Sequence, residues 1–167
     1  VVAGKYHMTG SASISPARMK VAGFSSSYLN VEITPFASTE MAAKLDGYDS
    51  INKPEVKVAT TLGTSFEGMV RNWFPDADIK VVEAPARGFQ EVIAGRADVF
   101  ITSNIEGATL MGKFPIMQVP NTPAKSSTPI AMLLPQNDQV WINYVNNWVE
   151  VKKGEGFFET TKAKWGL

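Results

Sequence analysis

Residues 55–83 read EVKVATTLGTSFEGMVRNWFPDADIKVVE, and they hold one complete strand–helix–strand unit. Glu55–Thr60 alternates polar and apolar side chains, the period of a strand with one partly exposed face. Phe66, Met69, Val70, Trp73 and Phe74 then recur at i, i+3, i+4, i+7 and i+8, which puts them on one helical stripe. Thr64 and Glu67 have the spacing of a capping box, so the helix is expected to begin near Thr64, and Pro75 ends it. Asp78–Glu83 follows as a second strand.

The pattern continues downstream. A helix from about Ala86 to Ala94 turns Phe89, Val92 and Ile93 inward and stops at Gly95. Ala97–Thr102 is a buried strand, residues 104–111 form a short helix stopped by Gly112 and Pro115, and Ile116–Val119 is a further short strand. Strands alternating with helices predict an α/β fold with a parallel sheet. The flanks differ. Residues 1–33 give Ser-rich turns around a short helix at 16–21, whereas residues 136–165 give amphipathic helices with Val140, Trp141, Tyr144, Val145 and Trp148 on one stripe. Two extended, Pro-bearing segments, Val31–Pro35 and Thr128–Pro135, connect flanks and core and read as a double hinge.

Composition removes several function classes. Sixteen basic residues balance sixteen acidic ones, so no global field draws nucleic acid or an anionic membrane. With no cysteine there are no disulfides, thiolate metal sites or cysteine nucleophiles. No histidine–acid cluster has metal-ligand spacing, no glycine-rich dinucleotide fingerprint follows a strand, and His7 is the sole histidine. No cofactor is expected. There is no apolar run of about 18 residues to span a bilayer, and no secretory leader is read at Val1, so one is expected to be absent or removed.

Ligands of open parallel sheets bind beyond the carboxyl ends of the strands. That rule selects the loops 60–65, 83–87 and 102–106. The first offers Gly63, the hydroxyls of Thr64 and Ser65, and a helix N-terminus that favours an anion. Arg87 supplies a fork for a carboxylate. Thr102, Ser103 and Asn104 offer hydrogen-bonding groups, and Glu106 lies on the first turn of the next helix. Each has a structural alternative: Thr64 as an N-cap, Arg87 as a solvated surface group, Glu106 as a partner of the helix dipole.

With these segments in place, nearly the whole chain resembles the type II periplasmic solute-binding proteins of the amino-acid-binding sort, and within them the cyclohexadienyl dehydratase group. Residues 10–18, GSASISPAR, followed by Val21–Ser25 and Tyr28, resemble the family's first-lobe element, where an arginine grips a ligand carboxylate. The resemblance gives that role to Arg18, with Ser13 and Ser15 beside it. Residues 62–65 resemble the family's Gly-Thr loop, 95–102 its strand leading to the cleft, and 133–135 its return crossing. In amino-acid binders an aspartate usually follows the last cleft strand to hold the ligand ammonium, and here that place is Ser103. In the dehydratase group a glutamate matching Glu106 removes water and carbon dioxide, a role that requires its carboxyl to keep a proton in an apolar closed cleft.

The resemblance implies a periplasmic-binding-protein type II-like fold with a complete second lobe at 35–129 and an incomplete first lobe at 1–34 and 130–167, joined by a two-strand hinge. A full family member starts with a further strand, helix and strand, so the chain is expected to dimerise or to pair with a complementing fragment. The leading expectation is an extracytoplasmic or periplasmic protein binding a small anionic or zwitterionic solute, served by an ABC transporter membrane component and having no nucleic-acid partner. The alternatives are a prephenate or arogenate dehydratase using Glu106, and an interaction module without a solute site.

Overall fold

The computed structural model describes residues 1–164. Strand β1 (Thr9–Ser13), helix α1 (Pro16–Met19) and strand β2 (Gly23–Phe24) lead to the long strand β3 (Leu29–Ser38). Helices α2 (Thr39–Ala42) and α3 (Gly47–Ile51) follow, then β4 (Lys57–Thr61), α4 (Ser65–Trp73), β5 (Asp78–Val82) and α5 (Gly88–Ile93). Next come β6 (Val99–Ser103), α6 (Asn104–Met111) and β7 (Ile116–Gln118), and then β8 (Ser126–Leu134), α7 (Gln139–Gly154) and α8 (Phe157–Lys164). The chain divides into two compact units: unit 1 comprises residues 1–31 and 128 onward, and unit 2 is Glu32–Ser127. Strands β3 and β8 carry the two chain crossings.

In unit 2, β4 lies between β5 and β6 and is parallel to both. The sheet is not wholly parallel, as the sequence had suggested: β3 runs antiparallel to β6, and β7 antiparallel to β3. The physical reason is the edge of β6. Its backbone groups need a partner, and β3 supplies one, setting Phe36 opposite Phe100 with ring centroids 5.8 Å apart. Alternation along β4 puts Ala59 into a cluster with Phe36, Val92, Phe100 and Leu110, while Val58 faces the other way and is equally buried. Helix α4 packs on β4 and buries Val70, and Phe74 at its end is also buried. Tyr48 of α3 stacks on Phe74 at 6.0 Å.

Helix α5 departs from the sequence reading. Gly88, Phe89 and Val92 turn inward, but Ile93 is 40% exposed, and the buried residue beside Val92 is Glu91. An ion pair explains the exchange. The Glu91 carboxylate accepts from Arg96 at 2.6 Å and 3.0 Å and from Lys80 of β5 at 2.9 Å. Hydrogen bonds from Arg96 and then Lys80 hold its carboxyl down to about 2.

In unit 1, β1 and β2 each pair antiparallel with β8. Neither strand was expected, because the Ser-rich segment that forms β1 carries no apolar alternation. Helix α7 rests Val145 and Val149 on Leu134, with Met132, Trp141, Trp148 and Phe158 around them. Here too the expected stripe is corrected: Val140 is 81% and Tyr144 62% exposed. Val145 and Val149 are buried, Trp141 and Trp148 partly so beside them, and Tyr144 stacks on Trp141 at 5.4 Å. Residues 165–167, the end of the expected C-terminal segment, lie outside the described residues.

Candidate functional site

The carboxyl ends of β4 and β6 and the start of α5 enclose a recess of about 30 Å³ in unit 2. Its walls include Thr60, Phe66, Arg87, Phe89, Thr102 and Glu106. The backbone comes close here because position 88 is glycine. A Cβ at Gly88 would lie 3.0 Å from the Ala59 carbonyl oxygen, so any side chain would push α5 away from β4.

The recess has a charged mouth and a polar, buried floor. Arg87, half exposed, pairs through Nη2 with Oε1 of Glu106, which is one-quarter exposed. The Thr102 hydroxyl donates to Oε2 of the same carboxylate. The Arg87 guanidinium lies 5.6 Å from the centre of the Phe89 ring, which steadies its position over an apolar face. Thr60, at the end of β4, is 3% exposed, and its hydroxyl oxygen is buried with no hydrogen-bonding partner in the chain. A buried hydroxyl without a partner is uncommon, because desolvation without a compensating bond costs about 1–3 kcal/mol.

The sequence-selected loops divide in their use. Arg87, Thr102 and Glu106 meet in the recess. The Ser103 hydroxyl caps α6, accepting from the Glu106 amide at 3.2 Å. Asn104 accepts from the Glu32 amide at 3.2 Å. The loop at Gly63 already holds an anion of the chain itself, since the Glu67 carboxylate accepts from the Gly63 amide at 3.1 Å. That hydrogen bond, followed by one from Arg71, lowers the Glu67 carboxyl from its ordinary value.

The capping box expected at Thr64 and Glu67 is therefore rearranged. Thr64 is the N-cap residue of α4 but makes no side-chain cap, because its hydroxyl donates to the Thr61 carbonyl at 2.7 Å. Gly63 takes φ of 73°, the left-handed turn that brings its amide round to Glu67. Ser65 begins α4 and is half-buried.

Ser13, Ser15 and Arg18 belong to unit 1. The Ser15 hydroxyl caps α1 by accepting from the Arg18 amide, and Nη1 of Arg18 donates to the Ser13 carbonyl at 3.0 Å. Thr60, the first residue of the sequence-selected loop 60–65, is buried rather than open. It ends an apolar alternation and looks like the last position of an ordinary strand, and only the fold shows that its hydroxyl lacks a partner.

Among the described residues no group of three or more His, Cys, Asp or Glu is placed to hold a metal ion. No helix among them is long and apolar enough to cross a membrane.

A mixed open sheet with strand ends gathered at one rim defines the class of α/β binding folds. Comparison with known proteins narrows it. No family model matches the chain. The crystal structure of an ancestral amino-acid-binding protein, a precursor of cyclohexadienyl dehydratase, is 31% identical with a TM-score of 0.84, covering 98% of this chain and 69% of that one. An amino acid ABC transporter substrate-binding protein from Streptococcus pneumoniae bound to L-arginine shares the fold at 19% identity, with a TM-score of 0.84 over 98% of this chain and 68% of that one. Cyclohexadienyl dehydratase of Pseudomonas aeruginosa is 26% identical over 155 residues, which is 92% of this chain. The chain spans 57% of that relative's length. The chain belongs to the type II periplasmic amino-acid-binding family, among the relatives that include ancestors of cyclohexadienyl dehydratase.

Proposed function

We propose that the chain is an extracytoplasmic binding protein for a small solute carrying a carboxylate, held at the recess of unit 2. The observation that carries this reading is the half-exposed Arg87 guanidinium, paired with Glu106 at the mouth of the recess at the strand ends. A carboxylate placed at the mouth takes the remaining donors of Arg87. The similarity to an ancestral amino-acid-binding protein supports the same reading. The family resemblance assigns Arg18 a ligand carboxylate as well, and an ABC transporter membrane component is the partner such a protein serves.

Thermal-shift screening against amino acids and simple carboxylates tests the proposal. A ligand that binds the native state must raise its apparent stability, by about 2.7 kcal/mol at 100 times Kd. A folded chain that responds to no member of the panel contradicts the proposal and favours an interaction module. Loss of binding in Arg18→Ala supports the role given to Arg18, and unchanged affinity removes it.

A second reading, a dehydratase of the cyclohexadienyl type, rests on Glu106 facing the aromatic-lined recess and on the Pseudomonas aeruginosa relative. The geometry gives Glu106 the surroundings of a carboxylate acceptor, with a guanidinium on one oxygen and a hydroxyl donor on the other. Formation of phenylpyruvate from prephenate, abolished in Glu106→Gln, establishes the enzyme. Binding without turnover rejects it.

A further inference from the structure

We infer that Glu106 is the chain's own competitor for Arg87: it holds down the affinity of the recess for carboxylates, and its neutral replacement raises that affinity. The inference deepens the proposed solute-binding function and rests on it. Among the described residues that line the recess, the ionisable ones are Arg87 and Glu106. They are paired, Nη2 of Arg87 on Oε1 of Glu106. The Thr102 hydroxyl donates to Oε2 and so fixes the direction in which the carboxylate points. The site thus already contains what it is proposed to take from solution, a carboxylate on Arg87.

The pairing acts on a solute by charge and by space. Arg87 keeps N–H groups beyond the one on Glu106, so a solute carboxylate either shares the guanidinium or displaces Glu106 from it. In both arrangements it meets the negative charge of Glu106 at close range, where like charges repel. With the pair made, the recess measures about 30 Å³, room for water rather than for a solute, whose sites span about 300–1,000 Å³. A solute group therefore enters when the pair parts. Parting is easy, because Arg87 is half exposed and exposed ion pairs are weak. Arg87 keeps a support when Glu106 lets go, since its guanidinium also lies 5.6 Å from the centre of the Phe89 ring.

Isothermal titration calorimetry of acetate, benzoate and succinate against the unaltered chain and Glu106→Gln tests the inference. Glutamine keeps the length of the side chain and removes its charge. At least one probe is expected to bind the variant about three- to tenfold tighter, the range set by the worth of an exposed ion pair. Glu106→Ala should gain as much or more, because a methyl group leaves Arg87 wholly free. Adding Arg87→Met to Glu106→Gln should remove the gain, since the released guanidinium is what takes the probe. Affinity unchanged or weaker in Glu106→Gln, with the unaltered chain binding, overturns the inference and leaves the solute-binding function standing. A gain that survives the loss of Arg87 also overturns it. Absence of binding by all three probes in every variant, each folded by circular dichroism, overturns the inference, and overturns the solute-binding function with it if amino acids also fail to bind.

Discussion

Helix α4 of unit 2 and helix α7 of unit 1 both carry apolar residues at helical spacing, and they use them differently. In α4 the stripe ends in Val70 and Phe74, both completely buried, with Tyr48 stacked on the latter. In α7 two of the five residues of the expected stripe, Val140 and Tyr144, are mostly exposed. Unit 2 covers its helix with its own sheet and with α3. Unit 1 offers α7 the short strands β1 and β2 on β8, and one line of side chains is all that they can bury. A helix stripe thus predicts which residues want burial, while the surrounding elements decide how many obtain it.

The largest effect should come from opening the core of unit 2. Phe74→Ala is expected to cost about 3–5 kcal/mol, and Val149→Ala in unit 1 about 2 kcal/mol, as read by urea denaturation. Equal losses would show that the two cores are packed alike, contrary to the comparison.

Acid should weaken unit 2 through Glu91. Its carboxyl is held down to about 2 in the folded chain, so the stabilisation is present in full above the ordinary carboxylate value. It is lost as the pH falls from about 4.5, the ordinary value, toward about 2. Glu91→Gln should flatten the pH dependence of the melting temperature in that window. A slope as steep as that of the unaltered chain would show that other carboxyls carry it.

The exposed side of α7 should matter for association more than for folding. We expect Tyr144→Ser to change unfolding free energy by no more than about 0.5 kcal/mol, while reducing any self-association measured by sedimentation velocity. A chain that is monomeric at every concentration before substitution would contradict the dimer expected from the resemblance. The smallest expected effect is at Thr60. Replacing an unpartnered buried hydroxyl by a methyl in Thr60→Val should leave stability unchanged or slightly raised, because no hydrogen bond is lost. A clear drop in stability would mean that the hydroxyl is bonded in solution.

The strand–helix alternation of unit 2 was legible because each element repeats its own period. Residues 104–111, bounded by a cap and by Gly112, are helical over that whole span. What escaped was decided by partners distant in sequence. The antiparallel seat of β3 depends on the needs of the β6 edge, and the inward turn of Glu91 depends on Lys80 and Arg96. Strand β1 exists because β8 lies beside it.

At the site, charge type and strand-end position were enough to select Arg87, Thr102 and Glu106. They were not enough to reveal that Glu67 occupies the Gly63 amide or that Ser103 caps α6, since those bonds depend on side-chain direction.

The most direct test of the account is a crystal structure of the chain with the tightest binder of the carboxylate panel. The account predicts a ligand carboxylate within hydrogen-bonding distance of the Arg87 guanidinium. A ligand seated away from the recess, without contact to Arg87, would contradict it.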